Sequence, residues 1–254
     1  REGLVPSTAK TYSYLYLDDV LRQPSNPSGF PPTWGLAGSA DYAMDSRVAV
    51  DTESRYYNPN VRDALQSHAA ISIVTDLDHL FDRTDGIYSN PQREGVAWER
   101  PVSMELFTSE GQQQLQVNAG LRIQGGASRN PNRPKHNMRL LFKERYGASK
   151  LDFPLFEHGD VDRFDTLILR GGNGDSWFHP SATQQSQAQY IRDQWHRETQ
   201  RLTGNLHVAQ RHFHLYVNGL YWGFYHVFEK PNASFFAERF GGEPEDYDVL
   251  QHKN

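Results

Sequence analysis

The stretch VNAGLRIQGGASRNPNRPKHNMRLLFK, Val117 to Lys143, reads as two strands joined by a loop bearing glycines and arginines. Apolar residues fall on every second position through Val117, Ala119, Leu121 and Ile123. Asn118, Gly120, Arg122 and Gln124 take the other face, the period of a half-buried strand. After the loop Gly125 to Pro134 the alternation resumes, with Met138, Leu140 and Phe142 inward and Lys135, Asn137, Arg139 and Leu141 outward. If the strands pair, Arg122, Lys135 and Arg139 converge. Like charges repel more strongly as water is excluded, so this face is either a solvated surface or is completed by an anion.

Downstream, Leu167-Ile-Leu169 is a continuous apolar run of the inner-strand kind and opens into Arg170-Gly-Gly-Asn-Gly-Asp175. That loop matches neither common phosphate-binding glycine pattern, and a turn needing positive φ at Gly172 or Gly174 is preferred over a phosphate cradle. Thr183 to Leu202 predicts one long helix whose stripe, Ala188, Ile191, Trp195, Thr199 and Leu202, lies on a sheet, with Gly204 as its stop. On its polar side Asp193 either pairs with Arg197 or reaches the cationic face of the central strands. Arg211 to Glu229 predicts a hairpin around Asn218-Gly219. A two-residue turn sets Leu215 opposite Trp222, Phe213 opposite Phe224, His214 opposite Gly223 and His212 opposite Tyr225. His212 and His214 have a spacing that metal sites use, but no third ligand accompanies them, and no metal site is assigned.

Upstream, Thr11 to Leu17 is an aromatic strand candidate. The Pro- and Gly-rich stretch from Gln23 to Ser39, with Phe30, Trp34, Gly35 and Gly38, is too aromatic for a disordered linker. Residues 1–79 are therefore read as an arm packed on a body formed by 80–254. A short helix is expected from Asn60 to Ser67 and a buried strand from Ala70 to Val74. Another strand follows Trp98, with Val102, Met104 and Leu106 inward. The acids Asp76, Asp78, Asp82 and Asp85 miss the spacing of a calcium loop and read as a turn. Together these elements predict an α+β fold, a mainly antiparallel sheet with one long packed helix.

The 254 residues, 37% hydrophobic with 13% aromatic, suit one or two globular domains. No apolar run approaches the ~20 residues of a membrane span. A net charge of -5 argues against general nucleic-acid binding, so any basic site is local. With no cysteine there is neither a disulfide nor a thiol nucleophile. A start at Arg1 without a signal segment, and an end at Gln251-His-Lys-Asn254 with no natural stop, suggest a piece of a longer product.

Several motifs in order carry a family resemblance: Gly86-Ile-Tyr-Ser-Asn90, Trp98-Glu-Arg-Pro-Val-Ser103, Ala119-Gly-Leu-Arg-Ile-Gln-Gly-Gly-Ala-Ser-Arg129, Pro134-Lys135, Arg192-Asp193, Tyr216-Val-Asn-Gly-Leu-Tyr-Trp-Gly-Phe-Tyr225, Glu229-Lys-Pro231 and Asp246-Tyr-Asp-Val249. Over about residues 80 to 250 the chain resembles the CotH family, the bacterial spore-coat protein H kinases and their secreted relatives. The resemblance implies a reduced protein-kinase-like fold that binds ATP with Mg2+ and phosphorylates serine or threonine of a protein partner, in a secreted or cell-surface setting. It implies a nucleotide-binding set of Arg122, Gly125, Gly126, Ser128, Arg129, Lys135, Arg139, Asp193 and Glu229. In it Lys135 or Arg139 meets the phosphates, Asp193 is the helix acid and Glu229 borders the nucleotide. There is no H-R-D-x-x-x-x-N, since Glu198 stands five positions after Asp193, and Asp152-Phe153-Pro154 is no metal-binding D-F-G. The metal-binding and catalytic acids of that family belong to a large lobe beyond Glu229, so residues 80–254 are expected to stop before it, with no catalytic residue assigned. The alternative is a non-enzymatic module whose aromatic surface binds glycan or protein in an extracellular assembly.

Overall fold

The computed structural model of the chain describes residues 10–34, 39–40, 42–172 and 174–250. Arg1, Gly35, Gly38, Asn173 and Gln251 to Asn254, which entered the sequence reading, lie outside them. In order, the elements are α1 (Leu17–Val20), α2 (Ser46–Ala49), α3 (Val61–Gln66), β1 (Ala70–Val74), α4 (Leu77–Phe81), β2 (Arg100–Phe107), β3 (Gln113–Gln124) and β4 (Asn137–Leu141). A small pair, β5 (Leu151–Asp152) and β6 (Arg163–Phe164), precedes β7 (Thr166–Arg170). Then come α5 (Ala182–Gln187), α6 (Arg192–Leu202), β8 (Gln210–Val217), β9 (Leu220–Glu229) and α7 (Ala233–Phe240).

Seven strands close into a barrel in the order β1-β2-β3-β4-β7-β9-β8. Neighbours are antiparallel except β1 and β8, which run parallel and complete the closure. The class is thus mixed α and β with a large, mainly antiparallel sheet. Because β1 belongs to the barrel, the expected division at residue 80 does not divide the body: residues 1–79 supply one of its staves.

The period-2 alternation sends Ile71, Met104, Leu121, Ile123, Leu140, Leu167, Leu169, Phe213 and Val227 to the interior, all nearly solvent-free. One end of the barrel is stoppered by rings. Trp34 and Tyr42 from the arm pack at 5.8 and 6.0 Å from Trp222, and Tyr88 at 5.4 Å. Thr11 to Tyr16 forms no strand, contrary to expectation. Its small side chains fasten it to the outside of the barrel: Thr11 donates to Ser103 at 2.6 Å, and Ser13 bonds Ser72 at 2.7 Å and Glu105. The acid run forms turns and a cap, as read: Asp76 caps α4, and Asp82 accepts from the Thr84 and Asp85 amides.

Two sequence expectations fail for local reasons. The single long helix is two helices, broken at Tyr190, whose φ is +63°. No residue of α6 is buried, and the supposed core stripe is open to solvent, with Ile191 55%, Trp195 64% and Leu202 70% exposed. The β8–β9 register begins as expected at Val217 opposite Leu220 and Tyr216 opposite Tyr221, then slips by one at a bulge. Gly223, with φ +139°, absorbs the extra residue, so Leu215 faces Gly223, His214 faces Phe224 and His212 faces His226. Trp222 and Tyr225 therefore both turn inward, and Phe224 stands outside among the histidines.

Candidate functional site

The outer face of β3, β4, β7 and β9 carries most of the polar chemistry. Register places Arg122 opposite Arg139, Arg139 opposite Ile168, and Ile168 opposite Phe228. The convergence expected of Arg122 and Arg139 is therefore present. Lys135 is not part of it. The loop turns before β4 starts, and Lys135 ends at the stoppered end of the barrel, donating to the Trp222 carbonyl at 2.6 Å with Trp222, Trp34 and Phe178 rings 4.7, 5.4 and 5.9 Å from its ammonium.

Arg122 is held by Glu99, whose carboxylate has no solvent exposure. Glu99 also accepts from Lys143 at 3.0 and 3.1 Å, from Tyr146 at 3.0 Å and from Arg145. Burial alone would raise its pKa. The bonds from Lys143, Arg145, Arg122 and Tyr146 outweigh that and hold it at about 2. Arg139 has no such partner. Among the described residues its side chain forms no hydrogen bond or ion pair, its Nε is buried, and burial, then Arg122 and Arg129, push it below the usual guanidinium range against the opposing charges of Glu99 and Glu94. Lys230, just past β9, is bonded through its amide to Thr166 at 3.2 Å, and burial followed by the charge of Arg139 lowers its pKa as well.

The other predicted residues scatter. Arg129 spends its guanidinium on main chain, donating to the carbonyls of Gly125, Ile123, Pro91 and Arg93 at 2.6 to 3.0 Å. Gly125 has φ +102°, and the Ser128 hydroxyl sits where its Cβ would be, donating to the Gln124 carbonyl, so Gly125 and Ser128 shape the loop. Gly126 begins the short turn that carries Arg129. Glu229 is buried at the far end of β9, paired with Arg239 at 2.8 Å, and burial raises its pKa. Asp193 does not reach Arg122 or Arg139. It forms an ion pair with Arg170, the last residue of β7, while Arg197 one turn on stacks 4.1 Å over Phe228. Polar residues thus attach α6 to the barrel, and its apolar stripe faces away.

Taken together, the face has an apolar floor, Ile168 and Phe228, both buried. Arg139, Lys230, Arg197 and the Arg170–Asp193 pair surround it. Burial leads the lowering of Arg139, Lys230 and Arg197, neighbouring cations add to it and nearby carboxylates oppose it, and a bound anion would relieve the repulsion that remains. Sequence reading missed Glu99, Arg170 and Lys230. Gly120 was the available signal for Glu99: glycine within a strand marks a close approach, and a Cβ there would lie 2.7 Å from Glu99 Oε1. The glycine-rich loop after β7 is the turn expected, with Gly172 at φ +88° beneath the Tyr190 ring. No protein-family model matches the chain, and no curated protein matches it.

Proposed function

We propose that this chain carries the nucleotide-binding lobe of a CotH-like protein kinase, with the outer face of β4, β7 and β9 receiving the phosphates of ATP. The acceptor would be a serine or threonine hydroxyl of a secreted or surface protein. The observation that carries the reading is the Arg170–Asp193 ion pair. In a kinase small lobe a strand cation pairs with an acid on the following helix, and a later hairpin leads to the nucleotide. Here β7, α6, the β8–β9 hairpin and Lys230 follow in that order. The cation is arginine rather than lysine, a planar fork suited to a carboxylate.

Phosphoryl transfer depends mainly on positioning and charge neutralisation, and Arg139 and Lys230 supply unpaired positive charge for phosphate oxygens. Glu99 is saturated by donors, Asp193 is held by Arg170, and Asp165 accepts from Asn232 at 3.1 Å. Among the described residues no group of three His, Asp or Glu side chains could hold a metal by itself, and no residue of this face is assigned to the implied Mg2+. Its role in this reading is phosphate binding alone.

Thermal denaturation with ATP, with and without Mg2+, tests the reading. Ligand at 100 times its dissociation constant adds ~2.7 kcal/mol of stability. The shift is expected in the wild type and lost in Arg139→Ala/Lys230→Ala; a folded wild type indifferent to ATP would remove the nucleotide role. One observation favours a glycan- or protein-binding module instead: Tyr12, Tyr14 and Tyr16 are exposed in a row on a segment fastened to the barrel. Glycan-array or pull-down binding that disappears in Tyr14→Ala, without any ATP response, would establish that module.

A further inference from the structure

Neither α5 nor α6 contributes a buried residue to the molecule. The segment they form is tied to the barrel by the Arg170–Asp193 ion pair, by Arg197 over Phe228, and by Tyr190, between the two helices, whose hydroxyl donates to the Phe224 carbonyl. Segments held by polar contacts rather than buried apolar area open well below the free energy of global unfolding. Beneath Tyr190 two histidines meet. His212 of β8 stands opposite His226 of β9 with ring centroids 3.9 Å apart, and the Tyr190 ring lies 5.5 Å from His226. His226 Nε2 is buried and makes no hydrogen bond. Arg170 of β7 is the cross-strand neighbour of His226, and Arg197 of α6 adds a second positive charge. Asp175 opposes them, but it is also taken up by the Gln189 and Arg192 amides at 2.8 and 3.3 Å. On its other side His212 meets the His68 ring at 6.3 Å, which in turn feels the charge of Arg211. A proton on this pair is therefore enclosed among cations while the segment is down and becomes hydrated when it lifts.

From this arrangement we infer that the α5–α6 segment is an acid-released flap: protonation of the His212–His226 pair lifts it while the barrel stays closed. The direction follows from linkage. Burial, then Arg170 and Arg197, lower the His226 pKa to about 4 against Asp175 and the Tyr190 backbone, and burial, then His226 and His68, lower that of His212 to about 3. A hydrated histidine titrates near ~6.5, so as pH falls through that value the open form takes up protons before the closed one. The flap does not depend on nucleotide binding at β4, β7 and β9, although Asp193 and Arg197 move with it.

The full chain has no cysteine, so spin labels at Gln200→Cys on α6 and Gln114→Cys on β3, both exposed positions, report the distance from flap to barrel by double electron–electron resonance. Between about pH 7.5 and about pH 5 the ratio of a second distance to the closed one should rise on the order of tenfold. His226→Gln should keep the closed distance and remove most of that rise, and His226→Gln/His212→Gln should leave the ratio flat. Far-UV circular dichroism of the same samples should stay constant over this range. A single distance at both pH values overturns the proposal, as does a rise that survives in His226→Gln/His212→Gln. Loss of the barrel signal together with the flap would make the event global unfolding and overturn it as well.

Discussion

Glu99 occupies the space that a side chain on Gly120 would fill: a Cβ there would lie 2.7 Å from its carboxylate and 2.6 Å from the Tyr146 ring. Gly120→Ala is therefore expected to lower stability by about 1–3 kcal/mol, the usual consequence of overpacking. Glu99→Gln leaves Arg122, Lys143 and Arg145 without their shared counter-charge and is expected to lower it by about 3 kcal/mol or more. Urea denaturation measures both. A neutral Glu99→Gln would mean that the three cations do not depend on this carboxylate.

Acid should weaken the fold in two stages. His212 and His214 pack on Phe224, His226 lies against His212, and burial, the leading cause for each, depresses them to about 3, 4 and 4. The unfolded chain binds protons at these histidines first, so their contribution is complete above about pH 6.5 and declines as pH falls toward 4 for His214 and His226 and toward 3 for His212. Glu99, held at about 2, adds a second decline between about pH 4.5 and 2. His212→Phe preserves the stack on Phe224, whose ring lies 4.7 Å away, and should reduce the first stage by the share of His212, leaving that of His214 and His226. An unchanged pH profile would sink the assignment.

Trp195 is 64% exposed on a helix attached by its polar residues, so Trp195→Ala should change stability by less than about 0.5 kcal/mol. A core tryptophan would lose about 3–5 kcal/mol. Chemical denaturation separates the two values easily.

Lys135→Met should keep the aromatic packing around that position and leave any ATP-induced stabilisation intact, because the Lys135 ammonium lies at the barrel end against Trp222. Loss of the ATP response in this variant, with retention in Arg139→Ala, would return the phosphate role to Lys135.

Short-range pattern made the strands legible. Alternation at Val117 to Ile123 and the Asn218-Gly219 turn depend only on neighbours in sequence, and β3, β4, β8 and β9 follow them. The hairpin register was not legible, because Gly223 admits a bulge that counting from the turn ignores. The α6 stripe misled because amphipathicity states that a helix has two faces, while which face meets the barrel was decided by Asp193, Arg197 and their partners. Of the candidate site, Arg122 and Arg139 were found by strand pairing. Lys230 and Arg170 join them only through β7 and β9, contacts between segments about 30 to 90 positions apart that no local period encodes.

The parallel seam between β1 and β8 joins Ala70 to His214, ~140 positions later, and closing so large a loop is entropically slow. During synthesis β1 must wait, one edge bare, until the last hairpin emerges. Biogenesis of this protein is therefore expected to hinge on its late segments, and chains released before β8 should be captured by chaperones or precipitate.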